Sequence, residues 1–223
     1  MGAWLWKIRA EIRKNTAGMD GKQKAEYILT YYWYHMLFVF LGAGLLVLLI
    51  RHVFFGEPKK EFACVIVNQR VDYERDERLA SAFAEASGIA EEGILVDSDY
   101  VFSYEGVQLE AANESSYEKF FFHWGSGELD AVLMPESFYR YCKKLEYSFG
   151  DLRELWPGNP AELSELPWIE EEGRYEALYV EDTRLMTDLE QRDGDRMVLV
   201  YLPESKHPEA ARAFLAFALG GEV

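Results

Sequence analysis

The run MLFVFLGAGLLVLLI, from Met36 to Ile50, constrains this chain more than any other feature, because it carries no charged residue. Its Leu, Ile, Phe and Val side chains each favour insertion into hydrocarbon by roughly 0.3 to 0.6 kcal/mol, so about 3 to 7 kcal/mol together. A helix rising about 1.5 Å per residue needs about 20 residues to cross a bilayer. Tyr31, Tyr32, Trp33 and Tyr34 supply the missing turn, and aromatic side chains suit the membrane interface. Arg51 and His52 can snorkel at the far end while Val53, Phe54 and Phe55 still reach lipid. The expectation is a transmembrane helix at Tyr31–Ile50, with flanks extending the segment over 31–55. The rivals are a buried core helix and a cleaved signal peptide. Against the latter, the following RHVFFGEPKK offers no small-x-small cleavage site. Gly2 fails the myristoylation pattern because Trp6 stands where Ser or Thr is needed.

Charge sets the orientation. Residues 1–30 hold Lys7, Arg9, Arg13, Lys14, Lys22 and Lys24 against Glu11, Asp20 and Glu26; close behind the span come only Arg51, Lys59 and Lys60. Flanking basic residues favour the cytoplasm, so the N terminus is expected inside and residues 56–223 outside the cell membrane, as a single-pass protein. Trp4, Ile8 and Ile12 share a helical face in the tail. The tail therefore reads either as a short interfacial helix on anionic lipid or as a loosely ordered basic segment that sets topology. Lys22–Tyr31 is expected to continue as helix into the membrane.

Residues 56–223 look like an ordinary acidic globular domain. Net charge is −16 for the whole chain, and beyond Glu57 about 16 basic residues face about 36 acidic ones. A surface so negative repels phosphate backbones, which argues against nucleic acid. Cys64 and Cys142 lie in apolar strings outside any CxxC or Cys/His cluster, so each reads as a buried free thiol, with a disulfide as the alternative.

Past the Gly56-Glu57-Pro58 break, strands and helices alternate. Phe62–Val67 (FACVIV) reads as a strand buried on both faces. Glu74–Ala86 places Leu79, Ala82, Phe83 and Ala86 on one helical face before Gly88. Gly93–Val96 is a second strand, and Val107–Ala111 is another, paired with the chain near Tyr100–Tyr104. A helix over Ser115–Trp124 stops at Gly125–Gly127. Leu129–Met134 is a buried strand, and Pro135 starts a helix through Leu145. Gly150–Gly173 is loop-rich, Tyr175–Val180 and Arg196–Leu202 are strands, and His207–Leu219 closes the chain as a helix. This cadence predicts an α/β fold, a three-layer lobe with a mostly parallel sheet.

Two segments then carry a likeness. GELDAVLMPESFYRYCKKLEYSFGDLREL (Gly127–Leu155) and MVLVYLPESKHPEAARAFLAFAL (Met197–Leu219) resemble the strand-and-helix segments of extracellular solute-binding proteins of ABC transporters. The YYWYH block with its apolar helix also looks like single-pass membrane proteins of Gram-positive anaerobes that carry such a binding-protein-like ectodomain. The resemblance implies a periplasmic-binding-protein-like (type II) lobe, truncated, because solute-binding proteins close two lobes on a ligand and only one fits here. It implies a non-catalytic, membrane-anchored binding or interaction module that docks a membrane or surface partner such as a transporter. The alternative is a small-molecule receptor whose cleft is completed by dimerisation or a partner lobe.

Ligands of open α/β sheets sit beyond the carboxyl ends of the strands. That rule nominates Asn68 and Gln69, Glu136 and Ser137, Glu181, Asp182 and Thr183, and Glu204 and Ser205. The same side chains fit a second reading as caps and turns, since Ser137, Asp182 and Ser205 precede helices. No catalytic set is expected: His35 and His52 border the membrane, and His123 and His207 pair with no nucleophile in a recognisable motif. Asp97 and Asp99 lack the loop and glycine of a calcium site, and Gly125-Ser126-Gly127 is too short to cradle phosphate. No metal or cofactor is expected. Four aromatics within Phe120–Trp124 cannot all face inward from one helix, and an exposed one points to a protein contact.

Overall fold

The computed structural model describes residues 2–54, 59–110, 112–156, 166–181, 183–189 and 194–220. They form two compact units that divide after Pro58. In the first unit, α1 (Gly2–Asn15) is followed by a turn through Gly18, whose φ of 92° suits a residue without a side chain. The basic tail is thus helical over this stretch. Asp20 then opens α2 (Gly21–Phe54) with a reciprocal cap: its carboxylate accepts the Gln23 N–H at 2.8 Å, and the Gln23 side chain accepts the Asp20 N–H at 3.2 Å.

Helix α2 runs 34 residues, about 50 Å, and continues through Lys22–Tyr31 as expected. Its Gly21–Arg51 stretch is long and apolar enough to cross a membrane, and none of its most apolar window is buried in protein. Phe38, Phe40, Leu45 and Val47 are all exposed. Phe55, the last residue of the expected segment, lies outside the described residues.

The second unit is a three-layer α/β/α sandwich. Its elements are β1 (Phe62–Val67), α3 (Tyr73–Ser87), β2 (Ile94–Tyr100), α4 (Glu114–Gly125), β3 (Ala131–Pro135) and α5 (Glu136–Lys144). The short α6 (Leu152–Leu155), β4 (Trp168–Glu171), β5 (Arg174–Tyr179), β6 (Met197–Tyr201) and α7 (Pro208–Ala218) follow. Strand alternation distributes the core between two faces. Phe62, Cys64, Ile66, Leu133 and Leu199 pack with Phe83 of α3 and Phe214 of α7. The Phe62, Phe83 and Phe214 rings sit 4.7 to 5.0 Å apart, each contributing roughly 1.5–3 kcal/mol by burial. Ala63, Val65, Val132, Met134 and Val200 pack with Phe120 and Trp124 of α4 and Phe138 of α5. Asp72 caps α3 by accepting the Arg75 N–H at 3.1 Å, and Gly88, at φ 73°, ends it.

The strand order is β2-β1-β3-β6-β5-β4. Strand β1 pairs in parallel with β2 and β3, so the chain winds out from β1 in both directions. The β3–β6, β6–β5 and β5–β4 pairings are antiparallel. Four of the six strands therefore point one way, as a mostly parallel sheet requires, but β6 and β4 oppose them. The reason lies in the connections. Only a crossover lets neighbouring strands run parallel, and the link from β5 to β6 contains just a 3-10 turn (Arg184–Asp188) among its described residues. The loop-rich stretch Gly150–Gly173 hides β4, joined to β5 by a tight turn with positive φ at Glu172 and Gly173. The strand expected at Val107–Ala111 does not form. Tyr104 and Val107 make an isolated bridge around Glu105 and Gly106, and Ala111 lies outside the described residues.

Candidate functional site

The sheet offers two edges at its strand ends, and they differ in kind. At the carboxyl ends of β1, β3 and β5 stand most of the nominated residues. Asn68, buried at φ 57°, accepts the Phe102 N–H through Oδ1 at 2.7 Å, and its Nδ2 is buried with no partner among the described residues. Gln69 is buried and donates to Met197 Sδ at 3.5 Å. Ser137 donates to Asp195 Oδ2 at 2.6 Å and hydrogen-bonds the Tyr104 hydroxyl at 2.7 Å. Glu136 accepts from Arg140 and, at 2.8 Å, from the Tyr179 hydroxyl. Glu181 pairs with Arg196, whose guanidinium lies 3.5 Å from the Tyr179 ring centre. Burial pushes the Tyr179 hydroxyl above its ordinary pKa, and the bond to Glu136 adds to the shift. Thr183 caps the 3-10 turn, and Asp182 lies outside the described residues. Apart from Asn68 Nδ2, these side chains find their hydrogen-bond and ion-pair partners within the fold, so this edge is laced shut.

Glu204 and Ser205 do not belong there. Because β6 runs antiparallel to β3, its carboxyl end lies with the amino ends of β1 and β3, at the opposite edge of the sheet. The strand-end rule misplaces them by taking β6 as parallel. At this amino edge Asp130, wholly buried, is the organising group. It accepts the Ala63 N–H at 2.7 Å, the Ser205 hydroxyl at 2.6 Å and His207 Nδ1 at 3.2 Å. Serine and histidine meet the same carboxylate side by side. The relay order of nucleophile, base and orienting acid is therefore not built here.

Beside this anchor opens a concavity of about 400 Å³, lined by Lys60, Lys119, Lys206, His123, His207 and, from β2, Leu95 and Asp97. The residue after α4 that shapes it is Gly127, at φ 66°. A β-carbon there would lie 2.3 Å from the Glu204 carbonyl oxygen, so only glycine lets the two turns meet. His123 Nδ1 lies 2.5 Å from Glu128 Oε2, and that contact holds the Glu128 carboxyl below its usual range. Lys119 lies 3.3 Å from Asp97 and 4.7 Å from the Tyr100 ring centre. Burial pulls its ammonium down, but Tyr100 and Asp97 outweigh this and raise it.

Phe122, in the last turn of α4 next to His123, is 69% exposed, whereas Phe120 and Trp124 are buried and Phe121 half-buried. The helix thus leaves one aromatic on the surface, as the crowding of four had required. Cys64 and Cys142 are buried free thiols, and burial pushes Cys142 up to about 12.

Sequence reasoning missed Lys60, Lys119 and Lys206 and set aside both histidines. One short-range signal existed: His123, in the last turn of α4, stands close in sequence to Glu128 and Asp130, in the turn that enters β3. The chain matches no protein-family model, no curated protein and no solved structure.

Proposed function

We propose that this chain is a membrane-anchored, non-catalytic extracytoplasmic binding module that docks a membrane or surface partner, such as a transporter, through the amino edge of its sheet. The observation that carries this reading is the contrast of edges. The carboxyl edge bonds to itself, whereas the amino edge opens a concavity and, beside it, leaves Phe122 bare. The exposed apolar surface of α2 supports the anchor, and the basic excess before it supports a cytoplasmic N terminus. The three-layer unit wound about β1 supports the likeness to one lobe of a solute-binding protein. A second reading, a receptor for a small molecule, is favoured by the concavity itself.

Topology and docking are tested together in native membranes. With Cys64 and Cys142 buried, an exposed Glu92→Cys reporter should react alone with a membrane-impermeant maleimide added to intact cells. Mild chemical crosslinking should join the chain to a second membrane protein. A silent reporter contradicts the outside placement, and recovery of the chain alone contradicts the docking.

A further inference from the structure

We infer that the amino-edge concavity is a binding site for a phosphate group. The inference deepens the reading of that edge as the working face and rests on it. In a domain that repels anions overall, this hollow brings together three ammonium groups, Lys60 from the approach to β1, Lys119 from α4 and Lys206 from the turn after β6. Only two carboxylates line it, and both are engaged: Asp97 by Lys119 and the Asp99 N–H at 2.9 Å, Glu128 by His123. Lys60 and Lys206 are exposed and hold no ion pair within salt-bridge distance among the described residues. Asp130 is buried behind the hollow and bonded to Ala63, Ser205 and His207, so the exposed ammonium groups of Lys60 and Lys206 set the charge at its mouth, opposite in sign to the acidic surface around it, and such a hollow concentrates anions.

The two histidines are oriented in the same way. Each turns Nδ1 to a carboxylate, His123 to Glu128 and His207 to the buried Asp130, and Nε2 of each makes no hydrogen bond among the described residues. A carboxylate-braced imidazole is also how proteins prepare a metal ligand. Here that alternative fails on composition. A zinc site takes three or four ligating side chains, and no group of three His, Cys, Asp or Glu arranged for one exists among the described residues. Three lysines around the hollow repel a cation further. Phosphate suits the set, because its oxygens can each accept from a lysine ammonium, and charge-assisted contacts are the strong ones.

Phosphate could come from a soluble monoester or from a lipid headgroup, and calorimetry on the full chain separates the sources. The chain is placed in nanodiscs of phosphatidylcholine, or of phosphatidylcholine with phosphatidic acid, and titrated with inorganic phosphate or glycerol phosphate. One site per chain is expected, weakened at least about tenfold by Lys60→Gln and again by Lys206→Gln. Both lysines are exposed, so the variants should fold, which circular dichroism checks. Equal binding in both discs assigns a soluble ester; binding lost only with phosphatidic acid assigns the headgroup. No binding in phosphatidylcholine discs, binding indifferent to both substitutions, or stoichiometric Zn²⁺ binding in place of phosphate overturns the inference. Should phosphate fail while the chain still crosslinks to a membrane partner, the ligand class falls and the docking reading stands.

Discussion

The carboxyl and amino edges of this sheet are built from the same kinds of residue and reach opposite states. At the carboxyl edge each polar side chain finds a protein partner across the edge: Ser137 takes Asp195, Glu136 takes Tyr179, and Glu181 takes Arg196. At the amino edge one wholly buried carboxylate, Asp130, ties β1, β3 and the turn into α7, and Lys60 and Lys206 beside it are left to solvent. Polar residues at strand ends therefore do not make a site. Whether their hydrogen bonds are spent within the fold decides it.

The contrast can be broken at its strongest point first. Asp130→Ala strands the Ala63 N–H, Ser205 and His207 together, and should cost about 3 kcal/mol or more in chemical denaturation. Asn68→Ala removes the acceptor of the buried Phe102 N–H and leaves an alanine at positive φ, so about 2 kcal/mol is expected from the same assay. Ser137→Ala deletes the contacts to Asp195 and Tyr104 at an edge with other ties, for about 1 kcal/mol. If the amino edge proved the cheaper of the two to break, the anchoring role given to Asp130 would be wrong.

Acid should loosen both edges. Asp72 is lowered by the Arg75 N–H that it caps. Burial raises Asp151, but its bonds to Arg153 outweigh this and lower it. Groups depressed in the folded state add stability that is complete above their unfolded pKa values and lost as pH falls through the folded ones. Stability should therefore hold above about pH 5 and decline below about pH 4, as followed by thermal melts. The smallest effect is expected from Phe122→Ser, within about 0.5 kcal/mol, because that ring already faces water. A large loss there would mean that the ring packs inside the fold and is no docking feature.

Much of the fold was legible because its signals are local. The unbroken apolar FACVIV, the helical face of Leu79 and Phe83, and glycines at 88, 125 and 127 mark elements whose reasons lie within a few residues. The direction of β6 was not legible. It depends on the link between β5 and β6, which holds only a 3-10 turn among its described residues, and the buried VLV pattern reads the same either way. That single reversal sent Glu204 and Ser205 to the other edge. The site was hidden for a similar reason: Ser137 meets Asp195, and His207 meets Asp130, only after the sheet has assembled. Lys60, Lys119 and Lys206 stand far apart in a chain rich in charge, where no one lysine carries a signal of its own.

The most direct test of the two-edge account places a photo-crosslinking residue at Phe122, on the amino edge, or at Tyr73, exposed at the carboxyl-edge start of α3, in the full chain in native membranes. The account predicts a discrete crosslinked product from position 122 and none from position 73. A product from position 73 alone would contradict it.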